Sequence, residues 1–413
     1  MKWLAAILCL FASAASAQTG SFGGPGAPIV SSAMASTRDT YICLIPDTQN
    51  LTSSDDHSAS PETCAVNPAN GGCPTGSPYC SKSPYCEGSW RQTGRKLLLN
   101  LAYDLTGQQD RLDFNGIGEL DGAAISNKTP DHPRCDLILS LGDMADIDDP
   151  VVDANPSYAQ LNKFEQEQVQ MVNDFWAIIK ASGIPYLPLQ GNHDPNQPFV
   201  DTVYSYLNFT AEPFYYSSEP GQLGHAIKAM TPSGKYFCAI GMPDVTTTDA
   251  NTWQRNTVGC GSNYPTIILA HEGVTDECEL SGYSLTTTVD TAGMGELLMI
   301  AGGHYTGSGV EQACKEQKTG TFGTDPSADY FAMFSNWQEL NRHNNGYSPN
   351  YGITTSDSGG IYYTIIRISP DTDQIAGWDW SPYWRRRNMD ANIMGADYTR
   401  SFSVSFDFDA RYP

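Results

Sequence analysis

The chain has 413 residues, 40% of them hydrophobic and 17% charged, with 46 acidic against 23 basic side chains for a net charge of −23. That length supports one large α/β domain with insertions, or two domains. So acidic a surface repels a phosphate backbone at long range, which excludes nucleic acid as the main partner; the run Arg385-Arg386-Arg387 is the chief local exception and reads as a solvated basic turn.

From the N-terminus, Lys2 precedes an apolar stretch from Trp3 to about Ala12 and small residues ending Ala15-Ser16-Ala17. This pattern predicts a secretory signal peptide over 1–17, too short for a membrane anchor. No later stretch is long and apolar enough for a membrane span, so the mature protein is expected to be secreted or extracellular, and periplasmic in a bacterium. Residues 18–38, rich in Gly, Ser, Ala and Pro, read as a flexible lead-in. Residues 39–413 read as one domain with insertions at about 50–90 and 305–358.

The first strand candidate is Tyr41-Ile42-Cys43-Leu44-Ile45-Pro46, ending in Asp47-Thr48-Gln49. The Pro/Gly/Ser-rich insertion that follows holds Cys64, Cys73, Cys80 and Cys86. Their irregular spacing and the lack of His among them favour two disulfides over a zinc knuckle. Of 11 cysteines, Cys9 falls in the signal, so ten remain that could all pair. Sequons at Asn50, Asn127 and Asn208 permit N-glycosylation in a eukaryotic host, although a glycan on Asn50 would crowd the end of the first strand.

Leu97, Leu98, Leu99, Leu101 and Leu105 predict a helix over 91–105, returning the chain to a second strand, Leu137-Ile138-Leu139-Ser140-Leu141, that ends in Gly142-Asp143-Met144-Ala145-Asp146. A second helix is predicted over about 157–182, where Leu161, Phe164, Val169, Met171, Val172, Phe175, Ile178 and Ile179 roughly follow helical spacing and Gly183 stops it. A third strand closes in Gln190-Gly191-Asn192-His193-Asp194. Further strands are predicted at 235–241, at 266–270 before His271, and at 297–301 before Gly303-His304. The β-branched and aromatic run 360–368 is assigned to a second sheet. Strand–helix alternation of this kind marks a layered α/β fold.

Acid, amide and imidazole groups just past apolar strands lie where open α/β sheets place their chemistry. Taken singly, each has a structural explanation: a turn, a helix cap, a hydrogen-bonded histidine. Five such strand ends in order require five coincidences, whereas carboxylate plus imidazole is a ligand set suited to divalent transition metals.

The ordered series Asp-x-Gln, Gly-Asp-x-x-Asp, Gly-Asn-His-Asp, His and Gly-His, over residues 41–306, resembles the calcineurin-like metallophosphoesterase superfamily, whose signature is D-x-H, G-D-x-x-D, G-N-H-[DE], H and G-H-x-H. The resemblance implies a four-layer α-β-β-α sandwich with two facing mixed sheets. It also implies two divalent metal ions (Mn, Zn, Fe or Mg). By the resemblance, Asp143 bridges the ions, Asp47 and Gln49 serve the first, and Asn192, His271 and His304 serve the second. His193 faces the substrate phosphate, with Asp146 fixing its tautomer. Gln49 and Thr306 stand where the family has histidines, so the first ion lacks both nitrogen ligands; Tyr305, Glu272 and His343 are the candidates to replace them.

The implied activity is hydrolysis of a small phosphorylated substrate, a phosphomonoester or phosphodiester, by in-line attack of a metal-bound hydroxide. The scarcity of Arg and Lys near the motifs favours a diester. The alternative is a catalytically reduced binding protein on the same fold, with one metal.

Overall fold

A computed structural model of the chain describes residues 39–48, 98–99, 101–107, 133–145, 158–161, 163–194, 203–218, 224–230, 234–242, 264–275, 277–281, 297–304, 313–318, 330–336, 362–382, 386–387 and 402–411. The signal-like segment, the lead-in, the cysteine cluster at 64–86, Gln49, Asp146 and the sequons at Asn50 and Asn127 lie outside those residues. Asn208 is described, exposed in a turn. No helix among the described residues is long and apolar enough to cross a membrane.

The described strands form two mixed sheets. The first contains β1 (Thr40–Ile45), β2 (Leu137–Ser140), β3 (Tyr186–Leu187), β11 (Tyr363–Ser369), β12 (Gln374–Ser381), β13 (Arg386–Arg387) and β14 (Phe402–Ser405), ordered β13-β12-β11-β1-β2-β3 with β14 also on β12. The second contains β4 (Tyr215–Ser218), β5 (His225–Met230), β6 (Tyr236–Gly241), β7 (Thr266–Leu269), β8 (Leu297–Gly302), β9 (Ala313–Lys318) and β10 (Tyr330–Ser335), ordered β4-β5-β6-β7-β8-β10-β9. Strands β1, β2 and β3 run parallel, with Ile45 opposite Ser140 and Leu139 opposite Leu187. Strands β6, β7, β8 and β10 are likewise parallel.

Alternation along the second sheet builds two apolar layers. Ile227, Phe237, Ile267, Leu269, Met299, Phe331 and Met333 join the main core with Ile42, Leu44, Ile138 and Ile366 of the first sheet. The intervening Ala226, Cys238, Ile240, Ile268, Ile300 and Phe334 make a second core on the opposite face. A period of two places successive side chains on opposite faces, so strands apolar at every position are buried on both. Helix α1 (Lys163–Ser182) contributes Val169, Val172, Phe175, Trp176 and Ile179 to the main core, and the helical residues 98–99 and 101–105 contribute Leu98, Leu101 and Leu105. The α/β sandwich implied by the resemblance is the architecture observed.

The structure differs from the expectation in four places. Arg386–Arg387, read as part of a solvated basic turn, form β13 and pair antiparallel with β12, Trp380 opposite Arg387. The 360–368 run does not belong to a second sheet: as β11 it lies antiparallel to β1, Ile42 opposite Ile366. Its buried side chains fill both faces of the first sheet, so its composition carries no information about which neighbour it takes. The stretch 305–358, read as a surface insertion, supplies β9 and β10, whose run Tyr330-Phe331-Ala332-Met333-Phe334 is wholly buried. The start of the second predicted helix winds instead as a short 3-10 turn, Tyr158–Gln160, where the Gln166 side-chain amide donates to the Leu161 carbonyl at 2.8 Å.

Covalent and ionic links fasten the layers. Cys43 on β1 pairs with Cys135 ahead of β2, and Cys278 in the loop after β7 pairs with Cys314 on β9; Cys238 is also disulfide-bonded. Between the sheets, Lys315 Nζ of β9 lies 2.7 Å from Asp379 Oδ2 of β12, both residues at most 2% exposed. Asp379 Oδ1 accepts from the Thr364 hydroxyl at 2.6 Å.

At the opposite end of β2 from the site, Asp136 accepts the Tyr41 amide proton at 2.9 Å. Burial pushes its carboxyl up to about 6, against the lowering effects of the Tyr41 N–H and Arg134. A carboxyl that is more basic in the folded chain than its ordinary value of about 3.9 loses stability as pH rises from about 4 to 6. Asp136→Asn keeps the acceptor and removes that loss. Urea denaturation should show it level with the parent near pH 4 and more stable at pH 8, by on the order of 1 kcal/mol after solvent screening. A variant with the parent's slope would refute the burial argument.

Candidate functional site

Parallel strands present their C-terminal ends along one rim, and both sheets bring ligand-type groups to it. From the first sheet come Asp47 after β1, Asp143 after β2 and the loop Gly191–Asp194 after β3; from the second come His271 after β7 and His304 after β8. Leu141 N–H to the Ile45 carbonyl (2.9 Å) and Thr48 N–H to the Asp143 carbonyl (3.0 Å) carry the β1–β2 register past the last strand residues into the ligand loops.

Asp143 stands at the centre. It is 1% exposed, adopts φ +48°, accepts the His193 amide proton on Oδ1 at 2.9 Å, and holds Oδ2 3.0 Å from His271 Nε2. His271 Nδ1 donates to the Leu141 carbonyl at 2.7 Å, which leaves Nε2 as a lone pair in the neutral ring. That nitrogen also lies 2.9 Å from Asn192 Oδ1, which is 2.8 Å from His304 Nδ1. Four donor atoms thus converge: Asp143 Oδ2, Asn192 Oδ1, His271 Nε2 and His304 Nδ1. Ligands about 2.1 Å from a shared ion and at right angles stand about 3.0 Å apart, so the spacing fits a divalent cation.

Asp47 provides a second indication. Its Oδ2 accepts the His304 amide proton at 3.0 Å, while Oδ1, buried, has no hydrogen-bond partner. An orphaned buried carboxylate oxygen is costly; a cation would satisfy it. The two carboxylates of Asp47 and Asp143 would offer a cation lying between them only oxygen ligands.

Electrostatics agree with a site built for positive charge. Burial would depress the His271 imidazole, but Asp143, Asp47 and its hydrogen bonds raise it to about 10. Burial and the neighbouring Asp143 push Asp47 up despite His271. At Asp143 the penalty of burial is outweighed by His271 and by the His193 ring and amide, holding it below the usual carboxylate range. Burial and His271 together lower His304. The pocket takes up a proton at His271 where a cation would otherwise sit.

Of the residues singled out in the sequence, the structure brings together Asp47, Asp143, Asn192, His271 and His304. His193 is half-buried beside them and close enough to act electrostatically on Asp143 and His304. Gln49 and Asp146 lie outside the described residues.

Asp194 received no role from the sequence and has a large one. Its Oδ2 accepts from Gly191 (3.0 Å) and Met144 (3.1 Å) and its Oδ1 from Ala145 (2.8 Å), tying the loops of Asp143 and Asn192 together. Burial and the Asp143 charge push its carboxyl up to about 7, against those three N–H groups. The acid in the fourth position of Gly-Asn-His-Asp was the available signal. Glycines complete the packing: a Cβ on Gly142 (φ +101°) would lie 2.5 Å from His271 Nδ1, and one on Gly303 would strike the Asp47 carboxylate.

The sequence model of the calcineurin-like phosphoesterase family matches residues 114–305, which include Asp143, Asn192, His193, His271 and His304 and leave out Asp47. No curated protein matches the chain significantly. Among solved structures, one titled "Structure of PhoD" is similar at 9% identity, over 87% of this chain and 73% of that one, with a TM-score of 0.38.

Proposed function

We propose, from the premise that the chain is a calcineurin-like phosphoesterase over residues 114–305, that it is an exported, metal-dependent hydrolase of small phosphodiesters. The observation that carries this reading is the convergence of Asp143 Oδ2, Asn192 Oδ1 and two imidazole nitrogens at 2.8–3.0 Å. Electron pairs this close repel one another unless a cation or a proton lies among them.

Asp143, Asn192, His271 and His304 would hold one divalent ion, and Asp47 with Asp143 and Gln49 a second. Bound ions would supply Lewis acidity, activating water near neutral pH and offsetting charge on phosphoryl oxygens. The protein's own groups do the rest. Asp194 keeps the two ligand loops in register before substrate arrives, so little reorganisation is left for the reaction. His193, near enough to Asp143 to act on its charge, would donate a hydrogen bond to a phosphoryl oxygen and protonate the leaving oxygen, and by the family resemblance Asp146 would fix its tautomer. No described ion pair or hydrogen bond at the site involves Lys or Arg, and Glu272 adds a carboxylate at its edge. A diester, with a single negative charge, suits such a mouth better than a dianionic monoester. The disulfides suit an oxidising compartment, as does the signal-like N-terminus.

The test is hydrolysis of bis-p-nitrophenyl phosphate and p-nitrophenyl phosphate by protein loaded with Mn, Zn or Mg. The diester should turn over faster, and Asp143→Asn should lose roughly 10³-fold or more, as expected when a ligand central to the cationic site is neutralised. Bound metal without turnover of either ester would favour the one-metal binding protein, which Gln49 and Thr306 at histidine positions make the second reading.

A further inference from the structure

His304 turns its ring nitrogens to different partners. Nδ1 lies among the ligand atoms, 2.8 Å from Asn192 Oδ1, and Nε2 lies 3.4 Å from Glu272 Oε1. The two nitrogens of an imidazole point away from each other, so the carboxylate stands on the side of the ring remote from what Nδ1 faces. We infer that Glu272 is a positioning residue: it draws the ring proton to Nε2, leaves the Nδ1 lone pair for a divalent cation, and fixes the ring's rotation. The inference rests on the reading of this site as a divalent metal centre.

His304 needs such a partner more than His271 does. Its main chain is well held, with the N–H on Asp47 Oδ2 and the carbonyl accepting from Asn336 Nδ2 at 3.2 Å. Its side chain, however, is 29% exposed, whereas that of His271 is fully buried and locked on the Leu141 carbonyl. Each histidine therefore has an oxygen near its second ring nitrogen: the hydrogen-bonded Leu141 carbonyl for His271, and for His304 a carboxylate oxygen 3.4 Å from Nε2. A carboxylate in that position fixes the tautomer and raises the basicity of the ligating nitrogen.

Glu272 is itself held by the loop that presents His271. Gly273 N–H donates to the Ala270 carbonyl (2.8 Å) and Ser281 N–H to the Gly273 carbonyl (3.0 Å), with Val274 bridging Leu280 and Cys278 linked to Cys314. One dipeptide thus supplies a ligand, His271, and the support for another.

Calorimetric titration of Zn and Mn into chelator-stripped full-length protein, with bound ions counted by elemental analysis, tests the assignment on the parent, Glu272→Gln and Glu272→Ala. Glu272→Ala should weaken the tightest ion by about 10- to 100-fold, the usual effect of losing such a support, with the number of ions unchanged. Glu272→Gln, whose amide oxygen offers Nε2–H an acceptor in the same place, should recover most of that loss. Nitrogen NMR of labelled histidine in the loaded parent should show His304 protonated at Nε2. Unchanged affinity in Glu272→Ala overturns the assignment, as does loss of one whole ion with the other unaffected, which would make Glu272 a ligand. A parent that binds no divalent ion overturns the metal-centre reading and this inference with it.

Discussion

If the site is the metal-dependent hydrolase centre proposed above, Gly191→Ala should weaken divalent-ion binding and turnover without altering a single ligand. A methyl group at this position would press on the side chain and the backbone amide of Asp143, and a backbone contact cannot be relieved by a rotamer change. The loops of Asp143 and Asn192 must then separate, although Asp194 binds both through Gly191, Met144 and Ala145. Overpacking of this kind costs about 1–3 kcal/mol of stability, and a shift of about 1 Å at a reacting centre costs about 10²-fold in rate. Metal affinity and turnover should both fall by about that factor or more, with the far-ultraviolet circular dichroism unchanged. A variant that binds metal and turns over within threefold of the parent would show that the two loops are not held as described.

Lys315→Met should destabilise the fold by about 3–5 kcal/mol, because it leaves Asp379 charged and unpaired between the sheets. The ammonium comes from the edge strand β9 and the carboxylate from β12 of the facing sheet, 2.7 Å apart, with Thr364 on the second oxygen and Ser335 3.2 Å beyond. The double variant Lys315→Met/Asp379→Leu should recover most of the loss, since replacing both members of a buried pair by apolar groups is often neutral. By contrast, removing the exposed partners of Lys318, Glu279 and Glu316, should change little. Urea denaturation of the four proteins measures all of this. A double variant as unstable as Lys315→Met alone would mean that the pair is not the source of the effect.

What could be read from sequence and what could not divides along physical lines. Chemistry in a parallel sheet collects at strand C-termini, so Asp47, Asp143, Asn192, His271 and His304 each carried an apolar strand as a flag, and β7 and β8 were bounded to within a residue. Strand β9 carried no such flag, whereas the apolar run of β10 did and went unread. The sequence Ala313-Cys314-Lys315-Glu316-Gln317-Lys318 has the polarity of an exposed segment, and nothing local reveals that Lys315 meets a carboxylate 64 residues away. The neighbour of β11 is a matter of nonlocal pairing, which composition does not encode. Asp194 escaped notice because its partners are backbone amides, which every sequence contains.

The Cys43–Cys135 bridge, spanning a sequence separation of 92, makes a covalent ring of the chain between the first two strands. The cysteine-rich segment at 64–86, two of the sequons and the helical residues 98–99 and 101–105 all fall inside it. A protease cut anywhere in that ring leaves one connected molecule until the disulfide is reduced. Because the ring is closed in the folded and unfolded chain alike, lengthening it avoids most of the roughly 0.6 kcal/mol that each doubling of an open loop costs. Insertions between β1 and β2 are therefore nearly neutral for the sheet that holds Asp47 and Asp143, and this part of the chain is free to acquire new length and new surface while the rim of candidate ligands stays where it is.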